Sequence, residues 1–214
     1  MAQAAVLFAD PIPRAGMSLL LKSHPLIDDV QEFDSVESFF HEIERSHDFG
    51  LCIMTLDLPG MGSLEALAEL KRLHPSIPAL VVTRWPASLV AVRCLQAGAL
   101  GFITQSQEPQ ELFDAIELVL RGQSAVGALH IDLIIKAISQ PESQLPHARL
   151  SNREFEIMRR IAAGDSLQSI ADDLFISAKT VSTHRRRIMD KLNFQSNAQL
   201  TQYALENSIL DSVI

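Results

Sequence analysis

The sequence predicts an α/β domain with a doubly wound, five-stranded parallel sheet, followed by a smaller all-α domain that contains a helix-turn-helix. Two observations lead to this prediction. Short apolar runs alternate with amphipathic segments five times over residues 1–122, which is typical of β/α units in a parallel sheet. Within residues 149–214, two short amphipathic segments are separated by three residues, and the second of them is basic.

The first domain, residues 1–122, holds five predicted strands and five predicted helices. The strands are the apolar runs Ala5–Ala9, Ile27–Glu32, Leu51–Leu56, Ala79–Thr83 and Leu100–Ile103. The helices are the amphipathic segments Arg14–Ser23, Val36–Ser46, Ser63–Leu73, Ala87–Ala97 and Pro109–Arg121. In such a sheet, ligands bind beyond the carboxyl ends of the strands, so we expect functional side chains after the first, third, fourth and fifth strands.

Residues 123–148 are predicted to link the two domains. The apolar stretch Leu129–Ser139 predicts a short helix, and the segment from Gln140 to Ala148 contains two prolines and reads as a flexible tether. The sequence therefore allows the domains to move relative to each other.

The second domain, residues 149–214, has clear helix boundaries. Ser151 and Glu154 have the spacing of a capping box, and Gly164 suits the end of the helix that the box starts. The segments Leu167–Leu174 and Ala178–Leu192 then form the helix-turn-helix, with Ser177 in the position of an N-cap. A last helix is predicted over residues 197–207, and its apolar face either packs on its own domain or forms a dimer surface.

The helix predicted over Ala178–Leu192 has two different sides. Its apolar side carries Val181, His184, Ile188 and Leu192 at helical spacing. Its other side is polar and basic, and five of the thirteen residues from Lys179 to Lys191 are Lys or Arg. This pattern favours a helix that packs along one side and binds a polyanion with the other.

The net charge of −8 is unevenly distributed over the chain. Residues 1–146 carry nine basic and eighteen acidic side chains, whereas residues 147–214 carry nine basic and eight acidic ones. The overall negative charge disfavours nonspecific binding to nucleic acid, so the basic helix must supply the local attraction.

The two cysteines, Cys52 and Cys94, lie in apolar surroundings and belong to no metal-binding motif. They predict buried, reduced thiols in a cytoplasmic protein, without a metal ion or cofactor. The first apolar run is too short for a signal peptide, and no apolar run approaches the length of a membrane span, so no membrane partner is expected.

The second domain resembles the DNA-binding domain of LuxR/NarL-type transcription regulators. The matching residues are Leu150, Arg153-Glu154, Gly164, Ile170-Ala171, Leu174, Ile176-Ser177, Thr180-Val181, His184, Ile188 and Lys191-Leu192. The resemblance implies binding to double-stranded DNA by the basic helix. The side chains predicted to contact phosphates are Lys179, Thr180, Arg185, Arg187 and Lys191. Those predicted to read base edges are Ser182, Thr183 and Arg186, with guanine preferred by the last. His184 is predicted to support the helix or to contact a phosphate.

The first domain resembles the CheY-like receiver of response regulators over residues 3–122. The runs VLFADPIPRAG, LPGMGSLEALAELK, LVVT and AGALGFI carry this likeness. The family phosphorylates an Asp after the third strand, with an acidic pair that holds Mg²⁺, a Thr or Ser and a Lys around it. Asp10 and Thr83 match this set, but Pro11 replaces the second acid, Thr55 the acceptor Asp, and Gln105 the Lys. The resemblance therefore implies a degenerate receiver.

Asp57 leaves an alternative open, because it lies two residues beyond Thr55 and would point to the same side of an extended strand. The protein would then be a conventional regulator that is phosphorylated on Asp57. Two further alternatives are a hydrolase that uses Asp10 and a protein that sequesters another regulator without binding DNA.

The sequence thus predicts a cytoplasmic transcription regulator, and no enzyme, that works without Asp phosphorylation. Its predicted partners are a two-fold symmetric DNA operator, a second copy of the chain, and a sensor kinase or other regulatory protein. The predicted dimer surfaces are the last helix and a receiver row formed by Leu112, Phe113, Ile116, Val119 and Leu120.

Overall fold

The computed structural model of the chain describes residues 2–46, 49–85, 87–126, 145–207 and 209–210. The chain divides into two compact units, residues 1–133 and 134–214. The division lies inside the segment 123–148 that the sequence predicts as a linker. The helix predicted at Leu129–Ser139 lies outside the described residues.

The first unit contains a parallel sheet of six strands in the order β2-β1-β3-β4-β5-β6. The strands are β1 (Ala2–Leu7), β2 (Ile27–Phe33), β3 (Phe49–Met54), β4 (Ala79–Thr83), β5 (Gly101–Thr104) and β6 (Ala125–Val126). The helices between them are α1 (Pro11–Lys22), α2 (Val36–Ser46), α3 (Ser63–Leu73), α4 (Ala87–Ala97) and α5 (Pro109–Leu120). This arrangement confirms the predicted doubly wound class.

The prediction of five strands is wrong by one short strand. Ala125 and Val126 pair in parallel with Gly101 and Phe102 of β5, inside the segment that the sequence predicts as a linker. The chain turns back after α5 through Gly122, whose φ of 72° is in the left-handed region that glycine adopts readily. Two residues are too few to show a strand periodicity, so the sequence alone does not reveal β6.

The core of the first unit lies on both faces of the sheet. Val6, Ile53 and Leu80 have no measurable exposure, and Ile116 of α5 is equally buried against them. Strands covered on both faces need apolar side chains at successive positions, which explains the continuous apolar runs of β1, β3 and β4. The carboxyl ends of these strands are thereby fixed at one edge of the sheet.

The second unit is helical. A 3-10 helix at Pro146–Arg149 precedes α6 (Asn152–Ala163), α7 (Leu167–Asp173), α8 (Ala178–Leu192) and α9 (Asn197–Glu206). The capping box is confirmed, because the Glu154 N–H donates to Ser151 Oγ over 3.2 Å and the Ser151 N–H donates to Glu154 Oε2 over 2.7 Å. The helix-turn-helix of α7 and α8 is confirmed as well.

Both cysteines are buried and carry free thiols, and desolvation by burial raises the pKa of each, that of Cys94 to about 12. Within the described ranges, no three His, Cys, Asp or Glu side chains come together in a group that could hold a metal ion. Of the helices described above, none is long and apolar enough to cross a membrane.

Candidate functional site

The position of α8 is fixed by its cap and by its apolar side. Ser177 Oγ accepts the N–H of Thr180 over 3.0 Å and so satisfies a free donor of the first helical turn. Val181 and Ile188 are fully buried, and α8 packs on α6 and α7. Because this side is held by the core of the unit, the opposite side of α8 faces solvent.

The solvent-facing side of α8 holds most of the residues predicted to contact DNA. Those with exposed side chains are Lys179, Thr180, Ser182, Thr183, Arg186 and Arg187. The Arg186 side chain is 86% exposed, and its Nε lies 4.0 Å from Asp190 Oδ2. A pair of this length in water holds the guanidinium only weakly, so Arg186 remains available to a ligand.

Two of the predicted contacts are also engaged within the unit. Arg185 is half-buried, and its Nε donates to Asn197 Oδ1 over 2.9 Å. Lys191 Nζ lies 2.6 Å from Glu154 Oε2, so this lysine ties the end of α8 to the start of α6. His184 is half-buried at the edge of the packed side, as its place in the apolar pattern predicts.

Glu154 joins the capping box to this ion pair. Its side chain is 5% exposed. Desolvation by burial raises the pKa of its carboxyl, but hydrogen bonds from Lys191 and from the Ser151 backbone outweigh this effect, and the pKa is lowered from its ordinary value. The charged form of Glu154 is therefore stabilised by folding.

The receiver pocket lies at the carboxyl ends of β1, β3, β4 and β5, where the sequence predicts functional side chains. Its lining residues are Phe8, Ala9, Asp10, Pro13, Thr55, Asp57, Arg84 and Gln105. Four of the six residues predicted for the degenerate phosphorylation site thus meet around one pocket.

The other two predicted residues, Pro11 and Thr83, do not line the pocket. Pro11 is the first residue of α1 and is exposed. Thr83 is 1% exposed, and its Oγ1 accepts the N–H of Trp85 over 3.0 Å. The hydroxyl that matches the family's Thr or Ser is therefore used to shape the loop after β4.

Sequence reasoning missed Arg84 as a member of this pocket. Its Nη2 lies 3.4 Å from Asp57 Oδ2, so a guanidinium sits beside the carboxylate that the alternative function needs. Arg84 directly follows β4, and the rule that places functional groups after parallel strands could have found it. Arg84 thus follows the fourth strand, whereas the lysine of the receiver family follows the fifth.

The predicted dimer surfaces are largely buried within their own units. On α9, Leu200 and Ala204 have no measurable exposure. On α5, Leu112, Ile116 and Val119 belong to the core of the first unit. An amphipathic helix that covers a core turns its apolar row inward, so a dimer surface on either helix would have to use its other side chains.

Comparison with known proteins relates both units to described families. The model described as "Response regulator receiver domain" matches residues 9–117, and "Bacterial regulatory proteins, luxR family" matches residues 148–204. The chain belongs to the LuxR-type response regulators. This response regulator is 33% identical over 201 residues to Response regulator GacA of Pseudomonas protegens, a match that covers 93% of each chain.

Two solved structures of RcsB share its fold, and the first of them is RcsB from Salmonella enterica serovar Typhimurium. RcsB bound to promoter rprA in the presence of phosphomimetic BeF3- has a TM-score of 0.70 at 23% identity, over 94% of this response regulator and 97% of that chain. Two RcsB dimers bound to two parallel DNAs give a TM-score of 0.60 at 23% identity, over 100% and 99% of the chains.

Proposed function

We propose that this response regulator binds double-stranded DNA through α8, as a homodimer on a two-fold symmetric operator, and regulates transcription in the cytoplasm without Asp phosphorylation. The observation that carries the DNA-binding part is the exposed, basic side of α8, set opposite the packed side that buries Val181, Ile188 and Leu192. The second helix of a helix-turn-helix enters the major groove in this way.

Within this interface, the side chains divide into two roles. Lys179, Thr180, Arg185 and Arg187 contact phosphates, which fix the register of α8 on the duplex. Lys191 adds a phosphate contact with the ammonium hydrogens that its pair with Glu154 leaves over, since an ammonium group has three donors. Ser182, Thr183 and Arg186 read base edges.

Dimeric binding is supported by two arguments. One helix-turn-helix offers little contact area, so specific binding by this class of domain normally joins two half-sites. RcsB, which shares the fold, has been solved as dimers on DNA.

Selection of genomic fragments by the purified protein tests the proposal, because it yields the site and its symmetry together. We expect an enriched site with two inverted half-sites and a stoichiometry of two chains. A single half-site footprint with monomeric light scattering would refute the dimer. No enrichment at all would favour the alternative in which the protein only sequesters another regulator.

Independence from Asp phosphorylation rests on the chemistry of the receiver pocket. Thr55 offers a hydroxyl instead of a carboxylate, and Gln105 carries no charge for a phosphoryl oxygen. Pro11 has no side-chain oxygen for Mg²⁺. Asp57 lines the pocket, but its carboxylate faces the guanidinium of Arg84, which offsets the negative charge that a metal ion would need.

The alternative is a conventional regulator that is phosphorylated on Asp57. The observation that favours it is the position of Asp57 on the wall of the pocket, beside Asp10 and Thr55. In that case a sensor kinase is the partner, whereas the main proposal leaves the input to another regulatory protein.

Repair of the pocket gives a prediction. Because acceptor, metal-binding acid and lysine act together, Thr55→Asp alone is expected to gain no stable phosphorylation from a small phosphodonor. The triple change Thr55→Asp, Pro11→Asp and Gln105→Lys is expected to gain some. Intact-mass measurement detects phosphorylation in both variants, and release by hydroxylamine identifies an acyl phosphate. Full phosphorylation of the single variant would contradict the view that three parts are missing.

A further inference from the structure

Three helices of the second unit end at a residue with positive φ. These residues are Gly164 after α6 with φ 99°, Phe175 after α7 with φ 50°, and Asn193 after α8 with φ 57°. At each end, two backbone N–H groups donate to carbonyls of the last helical turn over 3.0 to 3.3 Å. After α7, the Ile176 N–H donates to Ala171 O and the Phe175 N–H to Asp172 O. The three ends share the Schellman motif.

Phe175 is the unusual residue of this set. The motif favours glycine, which has no Cβ, and accepts asparagine, whereas a bulky side chain in the left-handed region is a backbone outlier. Burial does not compensate for it, since Phe175 is 74% exposed. In the folded unit, this side chain therefore neither suits the left-handed backbone nor packs in the core. Backbone outliers of this kind point to a role in function.

Phe175 lies at the edge of the proposed DNA interface. It stands two residues before Ser177, the N-cap of α8, and the exposed side chains of Lys179 and Thr180 follow in the first turn. In a helix-turn-helix, the first helix crosses the DNA backbone while the start of the second enters the major groove. The turn between them thus passes beside the sugars and the outer base edges.

We infer that Phe175 is a further DNA contact and packs its ring on an apolar edge of a nucleotide, either a thymine methyl group or a deoxyribose. This inference rests on the proposed DNA binding. A phenyl ring has no hydrogen-bonding group, and the thymine methyl group is the apolar feature of the major groove that such a side chain reads. The left-handed backbone of Phe175 holds the ring at the surface, where a bound duplex can contact it.

The test compares Phe175→Asn with Leu19→Asn in the full-length chain. Asparagine suits the left-handed region, and Leu19 of α1 is a matched exposed apolar residue, 70% exposed, in the other unit. We expect Phe175→Asn to keep or raise the thermal midpoint of unfolding and to lower the affinity for the selected operator about tenfold, which corresponds to about 1.4 kcal/mol. Leu19→Asn should leave the affinity unchanged.

Operators with uracil in place of each thymine separate the two kinds of apolar edge. If wild-type affinity falls at one position and Phe175→Asn affinity does not, the ring reads a methyl group. If uracil has no effect but the variant still binds weakly, the ring packs on deoxyribose. Equal operator affinity of wild type and Phe175→Asn would overturn the inference. If the variant also lowered transcription at unchanged affinity, Phe175 would contact a protein partner instead of DNA. Failure of the wild type to prefer the operator over a scrambled duplex would instead refute the proposed function.

Discussion

Replacing Arg186 with Ala is expected to remove most of the preference of this response regulator for its operator over a scrambled duplex. The Arg186 side chain is 86% exposed on α8, and the ion pair it makes within the described residues, with Asp190 at 4.0 Å, is weak, so it can turn to a base edge. A bidentate contact from arginine to guanine discriminates by about 1–3 kcal/mol.

Arg187→Ala is the matched control for Arg186, since both are exposed arginines on the same helix. A phosphate contact carries no sequence information, so this variant should bind both duplexes more weakly and lower the salt slope by about one. Binding curves at several salt concentrations measure both effects. The division of roles is wrong if Arg186→Ala weakens the two duplexes equally.

Replacing Glu154 with Ala is expected to destabilise the second unit by about 1–3 kcal/mol, because it removes a buried, charged acceptor together with its hydrogen bonds. The Ser151 N–H would lose its bond of 2.7 Å, and the Lys191 ammonium its bond of 2.6 Å. Calorimetric unfolding of the full chain measures the loss. Glu206→Ala, which removes an exposed carboxylate from α9, should change the stability by less than about 0.5 kcal/mol.

The Glu154 carboxylate also makes the stability of the second unit depend on pH. The pKa of Glu154 is lowered by folding from its ordinary value of 4.5. Its contribution to stability is therefore fully present above that value and is lost as the pH falls through the lower pKa of the folded state. Glu154→Gln should flatten this acid limb, and an unchanged limb would show that other carboxylates dominate it.

The elements of the fold that follow from local patterns could be predicted from the sequence. The bounds of α2, α3, α4 and α8 were predicted correctly, because each has its own apolar periodicity and clear flanking signals. The capping box at Ser151 is local in the same sense. Strand β6 was missed, because two residues carry no periodicity.

The parts of the sites that depend on distant residues could not be predicted in this way. Asp57 and Arg84 are 27 positions apart, and Glu154 and Lys191 are 37 positions apart. Sequence spacing says nothing about such pairs until the fold brings them together. The consequence is largest for Lys191, which the sequence predicts as a phosphate contact and which also holds a buried carboxylate.

One measurement tests the central claim most directly: operator affinity of the wild-type protein before and after treatment with a small phosphodonor and Mg²⁺, with intact-mass analysis of the same samples. The receiver pocket, with Thr55 and Gln105 at two family positions and Asp57 paired to Arg84, predicts no acyl phosphate and an unchanged affinity. Hydroxylamine-sensitive modification at Asp57 together with tighter operator binding would contradict the account.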